Sequence, residues 1–73
     1  MFKKLSPPPQ LGTPVIAQNI DGTMCNGYVS GFMGDIANAK GRYCIEITFH
    51  EGKQNHRFFS VGEEGKLWRK LPS

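Results

Sequence analysis

Apolar and polar positions alternate most cleanly over residues 42–49, RYCIEITF. Tyr43, Ile45, Ile47 and Phe49 fall on one side of an extended chain, and Arg42, Cys44, Glu46 and Thr48 fall on the other. That period of two is the pattern of a half-buried strand, and the β-branched and aromatic content agrees with it. Shorter runs of the same kind flank it. PVIAQNI (14–20) reads as a strand ended by Asp21-Gly22, a dipeptide suited to a tight turn. NGYVSGFM (26–33) reads as a second strand, with Gly27 and Gly31 as sites for a bend or bulge. HRFFSV (56–61) follows a turn centred on Gly52, and KLWRKL (66–71) closes the series after the tight connection GEEG (62–65).

GDIANAKG (34–41) is bracketed by glycines and too short for a stable helix, so it reads as a loop with room for one helical turn at Ile36–Ala39. No long amphipathic helix is predicted anywhere. The expected fold class is therefore all-β: a small SH3-like barrel or sandwich of about five short antiparallel strands. It should occupy residues 12–73. Residues 1–11 form a separate Pro-containing N-terminal arm, because Pro7, Pro8 and Pro9 fix φ and lack N–H donors. The arm is expected to be extended or disordered.

With 73 residues, the chain makes one domain and a small core. Five Phe, two Tyr and one Trp give that core most of its area and leave little room for an enclosed active site. Phe58 and Phe59 are neighbours on a strand and must point to opposite faces, so one of them lies outside the main core. The net charge of +3 mildly favours acidic partners. No stretch near the N-terminus has the apolar run of a signal peptide, and none approaches the ~20 apolar residues of a membrane span. The expectation is a cytoplasmic protein, without membrane attachment, in which Cys25 and Cys44 are reduced thiols.

The candidate chemistry is thin. Cys25, Cys44, His50 and His56 are zinc-ligand types, but the cysteines are isolated from one another, unlike the close pairs of structural zinc sites. No nucleophile sits in a recognisable elbow, and the loop 34–41 does not match a phosphate-binding P-loop. The sequence thus predicts no catalytic residue, metal or cofactor. Nucleic-acid binding stays open, since Lys40, Arg42, Lys53, Arg57, Lys66, Arg69 and Lys70 interleave with Tyr43, Phe58, Phe59 and Trp68.

The arm argues for a protein partner. A solvated linker needs neither Phe2 nor Leu5, and these anchors flank Lys3 and Lys4 beside stiffening prolines. The two ends also echo each other, FKKLSP (2–7) and WRKLPS (68–73). Over its whole length, from MFKKLSPPPQLGTPVIAQNIDGTM through GKLWRKLPS, the chain resembles the small transcription regulators of phage, as found in a Xanthomonas phage, that bind host bacterial RNA polymerase. The resemblance implies a monomer that binds the N-terminal part of the polymerase β′ subunit near the RNA exit channel. It implies inhibition of initiation together with antitermination, with an elongation factor on the same polymerase as a further partner. Direct nucleic-acid binding would be weak or absent. The expected contact residues are Phe2, Lys3, Lys4 and Leu5 on the arm, with Arg57, Trp68, Arg69 and Lys70 as a second region. The alternative is an SH3-like nucleic-acid-binding module.

Overall fold

A computed structural model describes residues 9–34 and 43–72. Five strands form one antiparallel sheet: β1 (Pro14–Gln18), β2 (Met24–Met33), β3 (Cys44–Phe49), β4 (His56–Ser60) and β5 (Trp68–Lys70), in the order β4-β3-β2-β1-β5. A 3-10 turn (Val61–Glu63) leads into β5. The all-β class of five short antiparallel strands is the one the pattern predicts; the strand order and the 3-10 turn before the last strand are decided by the structure. Among the described residues, no helix is long and apolar enough to cross a membrane.

The alternation of 42–49 translates directly into burial. Tyr43, Ile45, Ile47 and Phe49 are buried and join Val15, Ala17, Cys25, Val29, Phe59 and Trp68 in a single core. Phe59 points inward at 2% exposure, whereas Phe58 is 45% exposed on the outer face, as neighbours on a strand must divide. Both cysteines are free thiols, Cys25 within the core and Cys44 half-buried.

β2 bends where its glycines stand. Between Val29 and Gly31 the register against β3 slips, Val29 pairing with Ile47 and Gly31 with Glu46, so Ser30 is the extra residue of a bulge. At Gly27 a Cβ would collide with the Thr48 carbonyl and crowd Phe49 Cα, so the two backbones approach more closely there than a side chain would allow.

Several expected boundaries move. β1 stops at Gln18 rather than residue 20, because the turn begins at Asn19, whose N donates to the Thr23 carbonyl and whose carbonyl accepts from Gly22 N. β2 starts two residues earlier than expected, at Met24. β4 ends at Ser60, and 62–65 is more than a tight connection. Ser60 caps the 3-10 turn through its side chain, which accepts from Gly62 N, while Glu63 reaches back to Ser60 N. Lys66 and Leu67 then donate to the Glu63 carbonyl, and this turn shortens β5 to three residues. At the other end, order begins before Gly12: Pro9 is buried, and the Gln10 carbonyl accepts from Thr13 N. The helical turn expected at Ile36–Ala39, and most of the loop around it, lies outside the described residues.

Asn19 was not foreseen as a core residue. It is 1% exposed and ties the β1–β2 turn to the β3–β4 turn. Its Oδ1 accepts from Ile20 N at 2.8 Å and Gln54 N at 3.0 Å, and its Nδ2 donates to the Gln54 carbonyl at 3.1 Å. A buried amide is tolerated because its polar atoms are paired.

Candidate functional site

The four expected contact residues on the barrel do not form one surface. Trp68 is 1% exposed; its indole Nε1 donates to the Ser60 carbonyl at 3.0 Å. This bond joins β5, at one end of the sheet, to β4 at the other. Arg57 has a similar task. Its Nη1 donates to the Gln18 carbonyl at the end of β1 at 2.8 Å, and its guanidinium lies 5.0 Å from the centre of the Phe59 ring. The sheet is thus rolled shut by side chains reaching across from edge to edge, and both Arg57 and Trp68 are consumed in that closure. The Trp68 indole, expected as a partner contact, lies in the core of the barrel.

Of the remaining two, Arg69 faces solvent, whereas Lys70 lies opposite the buried Val15. Arg69 is exposed, on the outward side of β5 opposite Ile16. Lys70 is half-buried, with Nζ 3.8 Å from Glu64 Oε2. Leu71 N donates to the Pro14 carbonyl at 3.0 Å, so the C-terminal segment lies beside the point where the N-terminal arm joins the barrel. Leu11, 64% exposed, sits just before that junction. Phe2, Lys3, Lys4 and Leu5 lie outside the described residues.

A second cluster occupies the outer face of β2, β3 and β4. Pairing places Tyr28 opposite Thr48, Thr48 opposite His56, and Glu46 opposite Phe58. Two ring pairs flank Thr48: Tyr28 with His50 at 5.4 Å between centroids, and His56 with Phe58 at 6.4 Å in an edge-to-face arrangement. Between them the Thr48 hydroxyl donates to Ser30 Oγ at 2.7 Å, and the Ser30 hydroxyl donates to Glu46 Oε1 at 3.0 Å. Glu46 Oε2 stands 4.0 Å from His56 Nε2. On the Tyr28 side, Glu51 Oε2 accepts from Asn26 N at 3.1 Å.

Sequence reasoning missed this grouping except for its Phe58 corner. The signal was present in the polar half of the β3 alternation, but the Ser30 bulge, which brings that hydroxyl over Glu46, is a tertiary feature. The two zinc-type histidines each pair with a different ring. Among the described residues, no group of three or more His, Cys, Asp or Glu side chains is arranged to hold a metal ion.

Two carboxyl or phenol groups have displaced titrations. Asp21 in the β1–β2 turn is held below its ordinary pKa chiefly by the Thr23 hydroxyl, which donates at 2.6 Å, and by Thr23 N, with Lys53 adding a smaller favourable charge. The Tyr43 phenol is pushed up, first by burial and then by Glu64. Compared with protein-family models, with curated proteins and with solved structures, the chain matched none.

Proposed function

We propose that this protein is a non-enzymatic regulator that binds host bacterial RNA polymerase at the N-terminal region of β′, near the RNA exit channel. It acts by occupancy, disfavouring the promoter-engaged enzyme and hindering terminator hairpins during elongation. No bond need be made or broken. The whole-length resemblance supports the reading. On the structure, the observation that carries it is the Leu71–Pro14 hydrogen bond. It sets the C-terminal segment that carries the exposed Arg69 beside Pro14 at the start of β1, and the arm residues Phe2, Lys3, Lys4 and Leu5 would supply the other half of the contact. A bipartite contact of this kind suits an acidic protein surface with an apolar recess.

The test is capture of polymerase from nuclease-treated bacterial lysate. Three proteins are compared: the full chain, a chain lacking residues 1–8, and the full chain with Arg69→Ala. The cut is placed at residue 8 because Pro9 is buried in the barrel. Retention by the full chain and its loss in either variant supports the reading. Equal retention by all three moves the contact to another face. Absence of polymerase from all three, with a salt-steep gel shift on naked RNA or DNA, makes the nucleic-acid module the account of this protein.

A further inference from the structure

We propose that the outer face around Thr48 is a second docking site, which takes a cationic side chain, arginine above all, from a protein partner. The site lies on β2–β4, whereas the polymerase reading rests on the arm and the end of β5, and neither depends on the other.

The argument starts from Glu46 and Phe58, cross-strand neighbours on the outer face. Directly opposed residues have Cβ atoms about 4.5–5.5 Å apart; the Glu46 carboxylate leans over Gly31 and Ser30, and the His56 imidazole, which an arriving guanidinium would displace, stands between it and the Phe58 ring. Phe58 is 45% exposed, an unusual position for a phenylalanine in a chain with so small a core. Glu46 is oriented before any partner arrives. Ser30 holds Oε1, itself fixed by Thr48, and leaves Oε2 directed toward His56 at a distance too long for a strong hydrogen bond.

A planar guanidinium fits this pair of groups, because it can stack on a ring while donating to a carboxylate in its own plane. The same grammar is used inside this molecule, where Arg57 lies over Phe59 and donates to the Gln18 carbonyl. Charge decides between a nucleic acid and a basic peptide. The rings alone would suit base stacking. But the described carboxylates here, Glu46 paired across from Phe58 and Glu51 held on Asn26 N, would repel a phosphate backbone. Lys53 in the following turn acts on the Asp21 side. Electrostatic complementarity therefore points to a cation.

The experiment is a titration of the ¹⁵N-labelled full chain, followed by amide shifts. Three probes are compared: the peptide Gly-Arg-Gly-Arg-Gly with blocked ends, its counterpart with neutral citrulline for arginine, and an oligouridylate. The arginine peptide should move the amides of Glu46, Thr48 and Phe58, and the citrulline peptide should not. Glu46→Gln should weaken binding by roughly 1.5- to fivefold, the range expected for one exposed ion pair, and Phe58→Ala should weaken it similarly. The spectrum of each variant reports whether the barrel is intact. The proposal is overturned if the arginine peptide leaves these amides in place, if citrulline binds equally well, or if a folded Glu46→Gln chain binds unchanged. It is also overturned if oligouridylate occupies this face in preference to the peptide. Polymerase capture by the Glu46→Gln chain separates the two readings, since loss of the peptide with retained polymerase confines the failure to this site.

Discussion

At the scale of single residues, Gly52 is constrained in both backbone and space. It has φ of +95°, and a Cβ there would lie 2.9 Å from Cys25 Sγ and closer still to Asn19 Nδ2. A substitution both strains the backbone and breaks the amide hub that joins two turns. Gly52→Ala should cost about 2–4 kcal/mol, the sum of a strained left-handed residue and a disturbed buried polar group. Gly22→Ala is the control. It also has positive φ, but open space around it, and should lose less. Urea denaturation of both variants measures the difference. Tyr43 supplies a pH dependence of definite sign. Its pKa is raised in the folded chain, so the stability it contributes is intact below the unfolded phenol's value of 10.0 and declines as pH rises through the alkaline range. Thermal unfolding between neutral pH and pH 11 should therefore show a fall that Tyr43→Phe flattens.

At the scale of elements, the end of β4 is the hinge of the architecture. Ser60 caps the 3-10 turn with its side chain and receives the Trp68 indole with its carbonyl, so one residue both ends a strand and closes the barrel. Trp68→Phe keeps most of the buried ring but leaves the Ser60 carbonyl without that donor. It should destabilise by about 1–3 kcal/mol, the cost of a lost buried hydrogen bond plus a small void. Trp68→Ala should cost more, in the ~3–5 kcal/mol range of large aromatic deletions. If polymerase capture by Trp68→Phe matches the parent under conditions where it is folded, Trp68 acts through the core alone. The β2 bulge is the element on which the proposed cation site depends. Without the extra Ser30, the β2 hydroxyl would not stand over Glu46, and the outer face would lose its oriented carboxylate.

At the scale of the whole molecule, charge is distributed unevenly. The net +3 is carried in part by Lys3, Lys4, Arg69 and Lys70 at the two chain ends, whereas the outer sheet face carries Glu46 and Glu51. The proposed polymerase contact rests on the first of these groups and the proposed cation site on the second. Replacing Lys3 and Lys4 by alanine should slow association with polymerase and reduce the salt dependence of the rate, while leaving dissociation nearly unchanged. Surface plasmon resonance at two ionic strengths reads both quantities. An unchanged salt slope would remove the electrostatic part of the arm's role.

What the sequence determined by itself was whatever rests on near neighbours along the chain. The period of two in 42–49 fixed the faces of β3, the paired Phe58-Phe59 required one ring inside and one out, and Asp21-Gly22 and Gly52 marked turns that positive φ confirms. These follow from local backbone sterics and the alternation of an extended chain. Tertiary structure alone decided the rest, because it depends on which distant groups meet. Arg57 and Trp68 look like contact residues in a linear reading, since exposed and buried cations or indoles have the same letters. Only the rolled sheet shows that they bridge β4 to β1 and β5 to β4. Asn19 reads as an ordinary strand-end residue until Gln54, thirty-five positions away, pairs with its amide. The Ser30–Glu46–Thr48 chain likewise spans separate strands and a one-residue slip of register. Long-range pairing has no local pattern to announce it.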